Sequence, residues 1–127
     1  MPTDEEAIRN LIGLHSQLTD DGEYQRRVQL YTEDGVFMMG DAASRGRDEM
    51  AEAFASTSAP ERRGKHITAN TVMEIDGDTA SARTDFFFLL PSAEGLKPLA
   101  AGRYFDTFTK QDGHWLYSER RITFLGT

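Results

Sequence analysis

The chain has 127 residues, enough for one domain with a single hydrophobic core. Its 39% apolar and 28% charged content is that of an ordinary globular chain, and a formal charge of −7 leaves no dominant basic patch to track a nucleic-acid backbone. With no cysteine it has no disulfide, thiolate nucleophile or Cys-bound metal centre, a composition suited to the reducing cytoplasm.

The N-terminal residues Met1 to Glu6 are acidic and carry no signal-peptide pattern. Thr3 followed by Glu6 matches a capping box, and Ile8, Leu11, Ile12, His15 and Leu18 recur at helical spacing. The spacing predicts a helix from Asp4 to Thr19 with His15 on its apolar stripe. Asp20-Asp21-Gly22 breaks it, with Asp21 or Gly22 capping a shorter helix that carries Tyr24, Val28 and Tyr31. Glu33-Asp34-Gly35 reads as a turn, Val36 to Met39 as a short strand and Gly40 to Gly46 as a polar loop. A third helix is expected over Asp48 to Thr57, with Met50, Ala53 and Phe54 on one side, ended by Ser58-Ala59-Pro60. Glu61 to Lys65 is a charged loop.

The remainder has strand character. His66 to Ile75, Thr79 to Leu90, Leu99 to Lys110 and His114 to Phe124 are predicted strands. Asp76-Gly77-Asp78 and Asp112-Gly113 are hairpin signals, and Pro91 to Pro98 reads as a loop. The longest apolar run, Phe86 to Leu90, is five residues, far from the roughly 18–20 that a membrane helix needs. Helices followed by a curled antiparallel meander define an α+β domain spanning residues 1–127. Where the helices cover the concave face of the sheet incompletely, a pocket remains.

His66, Thr68 and Asn70 alternate onto one face of the first long strand. An imidazole and two hydrogen-bonding groups among apolar neighbours point to a cavity. Asn70 either orients a substrate carbonyl or pairs with backbone. Tyr24 is read as a lining residue, and His15 as a second acid or base or a satisfied core residue. Of Arg120 and Arg121 only one faces inward, where it needs a carboxylate or an anionic substrate group as partner. Arg103 and Asp106 form a candidate ion pair, and Phe86 to Leu90 offer one face to the pocket and one to a partner subunit. The histidines His15, His66 and His114 show no metal-binding spacing, and the P-loop, GxGxxG and GxSxG motifs are absent.

Several pieces in this order resemble the NTF2-like superfamily, in its SnoaL-like and scytalone-dehydratase-like branch. They are Leu18-Thr19-Asp20-Asp21-Gly22, Leu30 to Phe37, Gly46-Arg47-Asp48 and His66 to Asn70, followed by Gly102-Arg103-Tyr104 with Asp106, and Asp112-Gly113-His114-Trp115. The resemblance implies a cone-shaped, curved antiparallel sheet wrapped around N-terminal helices, an NTF2-like or cystatin-like barrel with an apolar pocket. It also implies a homodimer or homotrimer; proton transfer by an imidazole and a carboxylate needs no metal or organic cofactor.

By the same resemblance Asp20 and His66 stand where the branch pairs an Asp at the end of the first helix with a His opening the third strand. Arg120 is the nearest match to an Arg that reaches the pocket in a dehydrochlorinase-like pattern. That pattern's first-helix Lys is replaced by His15, and the tyrosine and second-histidine set of scytalone dehydratase is not found. The expected function is a cofactor-independent, dehydratase-like lyase acting on a small cyclic or aromatic-like molecule. His66 is the base, Asp20 its orienting partner, and Arg120 or Asn70 polarises the substrate. Isomerase or cyclase chemistry in the same pocket, and non-catalytic binding of a small apolar ligand, are the alternatives. In the competing structural reading Asp20 only caps the hairpin and His66 only bonds a carbonyl.

Overall fold

The computed structural model describes residues 1–126. Thr3 caps α1 (Asp4–Asp20): its hydroxyl oxygen accepts from the Glu6 amide and its hydroxyl donates to the Glu6 carboxylate. The helix stops where Gly22 takes a left-handed conformation at φ 71°. A single-turn helix, α2 (Tyr24–Val28), follows; its N-cap is Glu23, without a side-chain capping bond, so neither Asp21 nor Gly22 serves as that cap. β1 (Tyr31–Met39) is longer than the expected strand. The Glu33-Asp34-Gly35 segment is absorbed as an irregularity within it rather than standing as a separate turn. The polar loop contains an edge strand, β2 (Ala42–Arg45), paired back onto β1. α3 (Gly46–Ala55) starts and ends two residues earlier than the spacing predicts.

The long strands are β3 (Lys65–Asp76), β4 (Thr79–Ser92), β5 (Gly95–Gln111) and β6 (His114–Phe124). The predicted Pro91 to Pro98 loop is instead the distal end of the β4–β5 hairpin, with Pro91 opposite Leu96 and Leu89 opposite Pro98. Gly77 at φ 61° opens the two-residue β3–β4 turn, and Asp112 and Gly113, at 52° and 80°, form the β5–β6 turn. The sheet order is β2-β1-β6-β5-β4-β3. β1 runs parallel to β6 and every other pairing is antiparallel. The expected α+β fold, a curved sheet wrapped around the helices, holds; the sheet is open, with β2 and β3 as its edges.

α1 packs on β3 and β6, and α3 packs on β1. Ile8, Ile12, Val28, Met50, Phe54, Phe108, Trp115 and Tyr117 form the core between these layers. Phe37, Tyr104 and Ile122 belong both to that core and to the wall of the hollow described next.

Candidate active site

Asp20 is the last residue of α1 and is buried. A carboxylate in the final turn opposes the helix dipole, and α1 has no basic residue there to offset it. Its compensation comes from β3. Both carboxylate oxygens accept from the His66 amide at 3.1 Å, and Oδ1 accepts from His66 Nδ1 at 2.6 Å. Charge-assisted bonds of this kind are worth about 1.5–3 kcal/mol each. They fix the imidazole as the Nδ1–H tautomer and leave Nε2 with no protein partner among the described residues. Phe88, the cross-strand neighbour of His66 in the register, supports the ring from one side at 4.5 Å between centroids.

A second polar cluster lies deeper. Arg120 is 1% exposed and Asp106 2%. They are cross-strand neighbours on β6 and β5, joined by two bonds of 2.8 and 3.0 Å. Arg120 also donates to Tyr117 Oη at 2.9 Å and lies 3.7 Å over the Tyr104 ring. Burial alone would depress the guanidinium pKa, but Asp106 and Tyr117 outweigh it and hold the group firmly protonated. Arg120 Nη1 approaches His15 Nδ1 at 3.4 Å, and His15 Nε2 lies 2.9 Å from Tyr31 Oη. Because a guanidinium only donates, Nδ1 accepts and Nε2–H donates to the tyrosine. Burial, and then the cations Arg120 and Arg27, push the His15 pKa well below its usual 6.5. His15 is therefore neutral at pH 7.

Both clusters border one cavity of about 320 Å³, lined among others by His15, Asp20, His66, Phe88, Tyr104 and Arg120. Ser16, Thr19, Arg27, Leu90 and the largely exposed Leu99 also line it, as do Arg62 and Arg63 from the charged loop. Arg27 is 7% exposed and has no carboxylate partner among the described residues; its Cζ sits 3.5 Å over the Phe54 ring. A desolvated cation–π contact contributes about 2 kcal/mol, whereas an unpaired buried ion costs several. The aromatic face alone does not offset the burial.

Of the residues singled out in the sequence, Asp20, His66, His15 and Arg120 meet at this cavity. Asn70 does not. A bulge between Ala69 and Val72 places Asn70 at φ 57° and breaks the alternation, so its amide turns outward and donates to Asp85 at 3.1 Å. Thr68 is half-buried outside the cavity lining. Tyr24 misses the cavity as well, because it begins α2 and packs into a minor crevice with Leu18 and Phe54. Arg103 bonds Asp85 at 2.6 Å on the exposed face rather than Asp106. Arg121 points outward and stacks on Phe105 at 4.2 Å. Arg27 is the residue that sequence reasoning passed over. It falls between Tyr24 and Tyr31 at helical spacing, so a cation on that stripe was the available signal. Among the described residues no group of three or more His, Asp or Glu side chains is placed to hold a metal ion. Among the same residues no helix is long and apolar enough to cross a membrane.

This layout, an open sheet curling around helices with a polar-tipped hollow, is the NTF2-like, cystatin-like fold. A SnoaL-like domain model matches residues 2–121, and the chain belongs to the SnoaL-like family. A variant of Rv3472, a protein of unknown function from Mycobacterium tuberculosis, is 30% identical with a TM-score of 0.88. The match covers 93% of this chain and 69% of that one. An NTF2-like protein with a cystatin-like fold from Novosphingobium aromaticivorans is 24% identical over 97% of this chain and 82% of that one, with a TM-score of 0.86. A further protein from N. aromaticivorans, described as a candidate scytalone dehydratase, is 20% identical over 95% and 83%, with a TM-score of 0.84. No curated protein matches the chain.

Proposed function

We propose that the protein is a cofactor-independent lyase of the dehydratase type, in which His66 is the general base and Asp20 its orienting partner. The observation that carries this is the 2.6 Å bond from His66 Nδ1 to a buried carboxylate at the wall of an open cavity. The pair leaves Nε2 able to take a proton from a carbon next to a carbonyl. The C–H electron pair forms the new double bond as a hydroxyl departs from the neighbouring carbon. The imidazolium, held by Asp20, returns its proton to the leaving oxygen, so water is released and neutral His66 is restored. His15 is neutral and committed to Tyr31, so one imidazole serves both proton transfers, with Arg120 as the electropositive neighbour of the carbonyl. Without a leaving group the same proton transfer gives isomerisation. Partly exposed Ile67 and Phe87 are cross-strand neighbours on the outer face. They suit the expected dimer or trimer, for which light scattering should give at least twice the 14.3 kDa chain mass.

The common first step is testable without the natural substrate. Cyclic ketones incubated with the protein in D₂O should exchange their α-protons, followed by proton NMR. His66→Ala should lose about 10²–10⁴-fold of the rate, and Asp20→Asn a substantial part of it. Exchange by His66→Ala at the wild-type rate would remove the lyase reading.

A further inference from the structure

Two buried polar groups of the cavity wall are unsatisfied. Among the described residues the buried Arg27 Nε has no partner, nor does the Ser16 hydroxyl, and both residues line the hollow. No bond from the Arg27 terminal nitrogens to a protein acceptor is formed among the described residues. The local charge also runs against that of the molecule. Arg27, Arg62, Arg63 and Arg120 face Asp20 and Glu61 around the cavity, in a chain of formal charge −7. Within that set Arg120 is ion-paired with Asp106, and Asp20 is engaged by His66. Among the described residues Arg27 is the buried cation of the wall without a counter-ion.

We propose that Arg27 is the anion-recognition residue of the cavity, and that the natural ligand is a small apolar-bodied molecule carrying a carboxylate. The guanidinium supplies the charge and planar donor edge that a carboxylate needs, while Phe54 and Phe37 pack beneath it and hold it in place. Phe88, Leu90 and Leu99 receive the apolar body. Burial lowers the Arg27 pKa only to about 10, so the group remains charged at neutral pH. The inference rests on the cavity being the binding site, as in the function proposed above, but requires no turnover.

The test uses 2-naphthoate and its neutral counterpart 2-naphthamide, titrated into the intact protein and followed by calorimetry and ligand-observed NMR. The wild type should bind the carboxylate at least tenfold more tightly than the amide. Arg27→Met should erase that preference by weakening carboxylate binding at least tenfold. Its melting temperature should be equal or higher, since an unpaired buried charge has been removed. Arg27→Lys, which keeps the charge without the planar fork, should retain part of the preference and serves as the variant of record if the methionine form does not fold. An equal affinity for the two probes, binding of neither, or a preference that survives Arg27→Met and disappears in Arg62→Gln or Arg63→Gln would overturn the proposal. His66→Ala should keep the preference. A wild-type protein that shows no proton exchange but keeps the naphthoate preference therefore counts against the lyase alone, and the reverse pattern against the anion site alone.

Discussion

Three ionisable side chains at this cavity reach their present state by different physical routes. Asp20 is a buried carboxylate satisfied by one ring and one amide. His15 is an imidazole kept neutral by burial and by two neighbouring cations. Arg27 is a cation resting on aromatic rings. His15 gives the clearest pH signature. The unfolded chain takes up a proton near pH 6.5 and the folded chain only well below it. Over that interval the unfolded state binds more protons, so stability falls as pH falls, by at most about 1.4 kcal/mol per pH unit from this one group. The urea midpoint of the wild type should therefore drop more between pH 7 and pH 5 than that of His15→Gln. Equal drops would mean that His15 is not buried in its neutral form. His66 and the stripe position of His15 were legible in the sequence because histidine is rare and strand and helix periods assign it a face. Asp20 was reached through the resemblance. Arg27 was hidden because a charged residue on a short helix reads as solvent-facing until the packing of α3 places Phe54 against it.

At the level of elements, the helices and long strands follow from caps, apolar spacing and Gly-containing turns, all local signals. The features that escaped are those set by distant partners: the parallel pairing of β1 with β6, the edge strand β2, and the bulge in β3 that turns Asn70 away. The approach to β3 is tightly constrained as well. A Cβ at Gly64 would collide with the Leu89 carbonyl oxygen and press to 3.0 Å against the Phe88 ring that supports His66. Backbone lies on one side and a packed aromatic on the other, so neither yields freely. Gly64→Ala should cost about 1–3 kcal/mol of stability, as overpacking does. It should also slow α-proton exchange, because Phe88 can relieve the clash only by shifting against the imidazole. Thermal melts and the D₂O assay on the same sample check both. Unchanged exchange would show that the ring of His66 does not depend on Phe88.

For the molecule as a whole, the core and the chemistry adjoin on one sheet, and Tyr117 serves both, packed in the core and accepting from Arg120. The apolar part, with Ile8, Met50 and Phe108 essentially inaccessible, supplies the driving force for folding. Beside it lie buried ions and a hollow, both of which reduce stability and are retained where a ligand is to be bound. The molecule is not fastened equally firmly throughout. His66 lies near the start of β3, an outermost strand bonded to a single neighbour, and it is Asp20, reaching across from α1, that ties this part of β3 down through amide and ring together. Edges are where folded proteins breathe first. Fraying of that strand would separate the carboxylate from the imidazole while the interior was still intact, so the protein would fall silent at temperatures where its bulk spectroscopic signals still looked native.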